Sequence, residues 1–142
     1  MKRIFLHNLI ILFTCICLTL SADYTGSIEK GTLLLKQGKI QKSIEFFKSA
    51  IEENPSSSEA YYYLGYAYFL LGKKEESIKN YQKAIELNPK NPDYHYALAS
   101  LFISMGDSEN AIKQLDETIK ASPESLAGRM ARKLKEEIKK AL

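Results

Sequence analysis

The eleven residues Tyr-Tyr-Tyr-Leu-Gly-Tyr-Ala-Tyr-Phe-Leu-Leu, at positions 61–71, decide the fold of this chain, because none of them is charged. At about 100° per residue, Leu64 and Tyr68 fall on one face of a helix. Tyr62 and Tyr66 fall on nearly the opposite face, so the predicted helix is apolar all round. A helix of this kind must be enclosed by neighbouring elements or must present an apolar face to a partner.

The turn residues of the chain recur with a period of 34 residues. Those in register are Gly38, Gly72 and Gly106, and Pro55, Pro89 and Pro123. Four further columns keep this spacing: Ile44, Ile78 and Ile112; Ile51, Ile85 and Ile119; Ser43, Ser77 and Ala111; and Ala50, Ala84 and Thr118. Gly can adopt the left-handed backbone that ends one helix, and Pro stops the next, so each period predicts a pair of helices. A seventh helix is predicted after the last proline.

This pattern resembles the tetratricopeptide repeat family. The middle repeat carries the family motif almost completely, as Tyr61-x2-Leu64-Gly65-x2-Tyr68, then Ser77-x3-Tyr81, Ala84 and Pro89. The third repeat fits less closely, as His95-x2-Leu98-Ala99-x2-Phe102, then Ala111-x3-Leu115, Thr118 and Pro123. In the first repeat the matching residues are Ser43, Phe47, Ala50 and Pro55. Its opening helix departs from the motif, because Ser27 and Lys30 stand where the family has an aromatic residue and a leucine.

The resemblance implies an all-α, right-handed α-solenoid of three helix-turn-helix pairs, at residues 24–57, 58–91 and 92–125, closed by a capping helix at residues 126–142. Small side chains are expected where paired helices approach closely, at Gly31, Gly65, Ala99, Ala50 and Ala84. Aromatic side chains are expected to fill the gaps between pairs, at Phe47, Tyr68, Tyr81 and Phe102.

The capping helix is predicted to cover the last pair with an apolar stripe made of Leu126, Met130, Leu134, Ile138 and Leu142. The same segment holds six Lys or Arg residues against two Glu. This basic face could touch anionic lipid or nucleic acid, but a solvated outer face with Glu136 paired to Lys140 is the interpretation we prefer. No nucleic-acid partner is therefore expected.

The first 22 residues have the composition of a secretory signal peptide. Lys2 and Arg3 precede the apolar residues 9–20, and Ser21 and Ala22 are small enough for cleavage. The alternative is an uncleaved anchor, because residues 4–22 carry no charge and would form a helix about 28 Å long. Export to the periplasm or cell envelope of a bacterium is the expected location.

Removing this leader would leave a chain without cysteine, since Cys15 and Cys17 both lie within it. A disulfide framework, a thiolate metal site and a thiol nucleophile are then excluded. Lipidation at a leader cysteine is a minor alternative, because the bulky Phe13 precedes Cys15 where a lipoprotein signal has small residues. The mature chain would hold eighteen basic and seventeen acidic residues, so its net charge favours no partner class.

The sequence shows no catalytic constellation. His95 is the one histidine beyond the leader, and it replaces the first aromatic residue of the motif, which favours a packing role over a general base. The paired glutamates at 52–53, 75–76 and 136–137 are typical of solvated helix charges. We therefore expect neither an enzyme, nor a cofactor, nor a metal, nor a small-molecule substrate.

In this family the first helix of each pair lines a concave groove. The resemblance places nine residues on that surface: Ile28, Thr32, Leu35, Tyr62, Tyr66, Phe69, Tyr96, Ser100 and Ile103. Family members that grip chaperone carboxylates use Lys, Arg and Asn at such positions, and this chain has none of them there, which disfavours a carboxylate clamp. An aromatic groove suits an extended peptide or an amphipathic helix. The competing interpretation is that these aromatics partly pack on the next helix.

We therefore expect a non-enzymatic adaptor that binds a protein or peptide partner. The alternative is a membrane-tethered structural subunit of an envelope assembly or homo-oligomer, which would touch the membrane only if the leader is retained.

Overall fold

The computed structural model describes residues 26–141, which contain seven helices and no strand. The helices are α1 (residues 26–36), α2 (Ile40–Glu53), α3 (Ser58–Leu70), α4 (Lys74–Leu87), α5 (Pro92–Ser104), α6 (Ser108–Ala121) and α7 (Leu126–Ala141). The predicted leader at residues 1–22, its two cysteines and Leu142 lie outside the described residues. Within 26–141, no helix is both long and apolar enough to cross a bilayer.

The turns between helices follow from the recurrent glycines and prolines. Gly38, Gly72 and Gly106 have φ of 73°, 71° and 76°, the left-handed region that the sequence predicted for them. At each proline turn, the preceding residue leaves the helical conformation, as at Asn88 with φ of −142° and ψ of 80°. Within each unit, the chain therefore reverses direction at these turns.

The described chain forms two compact units, the first ending at Pro55 and the second beginning at Ser56. In the first unit, the aromatic ring of Phe47 is fully buried, and a Cβ added to Gly31 would collide with that ring. Only a residue without a side chain fits there, which confirms the predicted close approach in this pair.

In the second unit, α3 packs on α4, α4 on α5, α5 on α6 and α6 on α7, while α5 also touches α3 and α7. The α3–α4 contact also places a glycine against an aromatic ring, as in the first unit, since a Cβ added to Gly65 would lie 2.8 Å from Cδ1 of Tyr81. The Ser77 hydroxyl donates a 2.8 Å hydrogen bond to the backbone carbonyl of Gly65. Ala84 is fully buried, as predicted for a contact between paired helices.

Helix α7 does pack against α5 and α6, but the predicted apolar stripe is wrong at its beginning. The buried cluster on this side is Ala99, Leu115 and Ala131, against which Leu134 and Ile138 pack. Leu126 and Met130 are instead 65% and 46% exposed.

The reason for this error is geometrical. A four-residue spacing advances the stripe by about 40° at each step, so its first two members turn away from the face that the last ones bury. Ala131 occupies that face in their place, and the buried Gly128 approaches the backbone of Ser122 and Pro123 in the preceding turn.

Candidate functional site

Five of the nine predicted groove residues meet in one pocket between α3 and α5. This aromatic pocket has a volume of about 180 Å³ and is lined by Tyr62, Tyr66, Phe69, Tyr81, Tyr96, Ala97 and Ser100. None of these side chains is charged. Its walls are mostly aromatic rings, so the surface offers a large apolar area together with a few hydroxyl groups.

Tyr62 is the centre of the aromatic packing. Its ring stacks on Tyr94 with centroids 5.1 Å apart and meets Tyr63 edge to face at 5.2 Å. It also lies 5.8 Å from the ring of Tyr81, which is only 2% exposed and belongs to the core cluster below the pocket. The hydroxyl of Tyr94 is 3.2 Å from that of Ser58, which links the first turns of α5 and α3. The floor of the pocket is therefore built into the core of the second unit.

Tyr66 is the exposed member of the pocket, whereas Tyr96 is half-buried. Tyr66 is 39% exposed, and its ring lies 6.5 Å from Phe69 in a near-parallel arrangement. Within residues 26–141, neither the Tyr66 nor the Tyr96 hydroxyl has a hydrogen-bond partner, whereas Ser100 donates its proton to the Tyr96 carbonyl. Two hydroxyl groups are thus free to bond a ligand at the pocket.

The electrostatic surroundings of the tyrosines are negative. Burial, followed by the negative charge of Asp93, raises the pKa of the Tyr62 hydroxyl. Burial and then Glu59 raise the pKa of Tyr63 in the same way, and burial raises that of Tyr81. Within the described chain, no cation is among the groups that act on these three hydroxyls. The hydroxyls of Tyr62, Tyr63 and Tyr81 therefore stay protonated at physiological pH.

The other predicted residues lie elsewhere. Ile28, Thr32 and Leu35 belong to the first unit, where Ile28 is only 6% exposed and the Thr32 hydroxyl donates to the carbonyl of Glu29. Little of Ile28 is therefore open to a partner. Ile103 is half-buried on α5 but does not line the aromatic pocket.

Two lining residues were not predicted. Tyr81 was assigned to the core, and it is both core and pocket floor. Ala97 was assigned no role, although it stands one residue after Tyr96 on the flank of α5 that packs near α3. Ala97 stands at no position of the family motif, so the sequence held no signal for it.

A larger groove of about 610 Å³ opens on the other side of α3. It is lined by Tyr61, Leu64, Tyr68, Glu76, Lys79, Asn80, Gln82, Lys83 and Glu86. The ammonium group of Lys73 lies 5.9 Å from the centroid of the Tyr68 ring. Because the α4 side chains that line this groove are mostly charged or amide groups, it is more polar than the aromatic pocket and less suited to an apolar anchor.

His95 has a structural position, as its place in the motif indicated. The ring is 6% exposed, with Nδ1 2.9 Å from the Gln114 side chain and Nε2 3.0 Å from the Pro89 carbonyl. These contacts tie α5 to α6 and to the preceding turn. Residues 26–141 contain no group of three His, Cys, Asp or Glu side chains arranged to hold a metal ion.

Comparison with known families gives matches along most of the described chain. A family model described as "TPR repeat" matches residues 31–72 and 66–106, and one described as "Tetratricopeptide repeat" matches residues 92–125. Among curated proteins, the chain is 42% identical over 40 residues to "DnaJ homolog subfamily C member 3" of Gallus gallus. That match covers 28% of this chain but only 8% of the relative, so the chain spans a small part of that protein's length.

Solved structures share the fold. The structure titled "First TPR of Spaghetti (RPAP3) bound to HSP90 peptide SRMEEVD" is similar with a TM-score of 0.77 and 21% identity, over 85% of this chain and 94% of that one. The structure titled "Crystal structure of MamA" has a TM-score of 0.69 and 29% identity, over 82% and 72% of the two chains. The predicted all-α fold class and the resemblance to tetratricopeptide repeats are confirmed.

Proposed function

The chain belongs to the tetratricopeptide repeat family, a family of protein–protein interaction modules, and we propose that it is a non-enzymatic adaptor whose aromatic pocket binds a peptide or helix of a partner protein. The observation that carries this proposal is the pocket itself. Within residues 26–141, the exposed Tyr66 and the half-buried Tyr96 both have hydroxyl groups without a partner, and the buried Tyr81 forms the floor below them. Tyrosine supplies contact area and hydrogen bonds with little loss of conformational entropy, which suits recognition of a peptide.

The neighbouring structure with an HSP90 peptide supports a peptide as the class of partner. The acidic sequence of that peptide does not fit this pocket, because its lining residues include no Lys, Arg or Asn. A carboxylate entering the pocket would lose its water without gaining a cation.

The proposal predicts that Tyr66→Glu abolishes partner binding with the fold intact. Tyr66 is 39% exposed and its ring packs on Phe69, so we expect the free energy of unfolding to fall by only about 1 kcal/mol, which leaves the fold intact. A partner would have to desolvate the new charge against aromatic walls, so its affinity should fall on the order of tenfold or more. The measurement is a crosslinking pull-down from the native host with the full chain as bait, with circular dichroism and thermal melting of each variant.

Gln82→Glu is the matched control, because it adds the same charge at an exposed position that lines the larger groove. Wild-type and Gln82→Glu baits should capture the same partner, which Tyr66→Glu should lose. Loss of the partner with Gln82→Glu alone would place the binding site in the larger groove. Unfolding of Tyr66→Glu would show that Tyr66 is a core residue.

For the location, we propose export to the cell envelope with cleavage of the leader, on the evidence of the charged and apolar segments before residue 22. Intact mass of the protein from the native host should then correspond to a start near Ala22 or Asp23, without a reactive thiol. A full-length mass in the membrane fraction, resistant to salt and alkaline washes, would favour the membrane-tethered subunit.

A further inference from the structure

We infer that the partner segment carries an apolar or aromatic anchor next to a Lys or Arg residue, with the anchor in the aromatic pocket and the cation at the first turns of α3 and α5. This inference rests on the proposed function, since it names the chemistry of the partner that the same pocket binds.

The negative rim of the pocket is the first support. Glu59 and Asp93 lie in the first turns of α3 and α5, and they occupy the same position of successive 34-residue periods. Glu59 stands three residues before Tyr62 on α3, and Asp93 stands three residues before Tyr96 on α5, so each carboxylate shares a helical face with a tyrosine of the pocket. The negative charge of Asp93 also contributes to the raised pKa of Tyr62. Both side chains are exposed, and neither forms an ion pair within residues 26–141.

The absence of cations among the pocket's lining residues is the second support. Lys90 is the basic residue nearest to Asp93 in sequence, but it lines a separate pocket with Pro89, Glu117, Lys120 and Ala121. Two basic residues of α7 already form ion pairs, Lys135 with Asp116 and Lys133 with Glu137. A partner cation therefore meets two unpaired carboxylates and no lysine or arginine in the pocket wall.

The aromatic walls favour the same chemistry. A guanidinium or ammonium group is attracted to the face of a tyrosine or phenylalanine ring, whereas a carboxylate is repelled by it. The Tyr66 and Phe69 rings lie nearly parallel, 25° apart, and Tyr66 is accessible from solvent. An Arg side chain can place its methylene groups on such rings and extend its charged end towards a carboxylate.

First-turn carboxylates also stabilise their own helices through the helix dipole, so the rim must be tested by binding. The probe is a random dodecapeptide library displayed on phage and selected on the full chain. Enriched peptides are synthesised with a fluorescent label, and their affinities are measured for wild type, a Tyr66→Ala variant that removes the ring without adding charge, and a Glu59→Gln/Asp93→Asn double variant. Thermal melting shows that each variant remains folded.

We expect the peptides that lose binding with Tyr66→Ala to carry an aromatic or aliphatic residue beside Lys or Arg. Each removed carboxylate should weaken these peptides roughly two- to fivefold, and added salt should weaken wild-type binding more than that of the double variant. Replacing the basic residue of a selected peptide by Glu should weaken wild-type binding further. A Glu59→Lys/Asp93→Lys variant should recover part of that loss, because the charges are then complementary again.

Two different failures are distinguishable. Pocket-dependent peptides without an excess of Lys or Arg, or with affinities that ignore Glu59 and Asp93, would overturn this inference and leave the proposed function intact. A selection in which no peptide depends on Tyr66 would overturn the proposed function, and this inference with it.

Discussion

Replacing Tyr81 by alanine should lower the free energy of unfolding by about 3–5 kcal/mol, the usual cost of removing a buried aromatic ring. Tyr81 is 2% exposed and forms a core cluster with Leu98 and Leu101, while its ring packs against Gly65. Alanine would leave a cavity where α3, α4 and α5 meet. Because the same ring is the floor of the aromatic pocket, binding should also be lost.

Tyr81→Phe is the control for this prediction, because it keeps the ring and removes only the hydroxyl. Its cost should stay below about 1.5 kcal/mol. Urea titrations followed by circular dichroism measure both variants. A Tyr81→Ala variant as stable as Tyr81→Phe would mean that the ring fills no essential space, and that the junction of the three helices is held elsewhere.

Deleting residues 126–142 should destabilise the protein and promote its association. Leu134 and Ile138 cover the cluster that contains Ala99 and Leu115, and removing α7 would expose this apolar face to water. The loss is on the order of 3 kcal/mol, which corresponds to a fall in melting temperature of roughly 10 °C or more. The end of a stack of repeats needs a polar outer face to stay soluble, so the truncated chain should also self-associate.

Thermal melting and light scattering coupled to size exclusion measure this effect. Two point variants in the full chain provide the matched comparison, since Leu134→Ser removes a packed side chain of α7 and Met130→Ser removes an exposed one. The first should be clearly destabilising and the second nearly neutral. An equally stable and monomeric truncated chain would show that α7 is only a tail.

The sequence predicted the paired architecture well because the responsible residues are local and recur. Only glycine fits where a helix backbone lies against an aromatic ring, as Gly65 lies against Tyr81. Such a requirement is visible in the sequence as a small residue at the same position of each repeat. The turn glycines likewise need a backbone conformation that few other residues adopt. Each of these constraints determines the residue type at one position, so a single sequence is enough to reveal it.

The capping helix was predicted less well because its buried face depends on how α7 crosses its neighbours. Spacing of large apolar residues pointed to Leu126 and Met130. Instead, Ala131 packs against α5 and α6, and Gly128 is buried against the backbone of the preceding turn. The sequence pattern of one helix does not tell whether its buried face is formed by large apolar side chains or by small ones that allow close packing.

The sequence predicted several residues that line the aromatic pocket, but it did not predict which residue forms the floor. The resemblance to tetratricopeptide repeats placed Tyr62, Tyr66 and Tyr96 on one surface, and the structure brings them together. The sequence alone could not show that the Tyr81 ring, which comes from α4, reaches the floor of the pocket. That depends on how neighbouring helices are offset along their axes. The partial burial of Tyr62 and Phe69 against the core cluster also means that they serve packing as well as the pocket.

The central claim is that a partner protein binds in the aromatic pocket, and site-specific photocrosslinking tests it most directly. The photoreactive amino acid p-benzoylphenylalanine would replace Tyr66 in the full chain, expressed in the native host, and Gln82 in a parallel chain. After irradiation, our account predicts that the chain modified at position 66 forms a covalent adduct with a distinct partner protein and that the chain modified at position 82 does not. An adduct from position 82 alone, or none from position 66 in a correctly folded chain, would contradict the account.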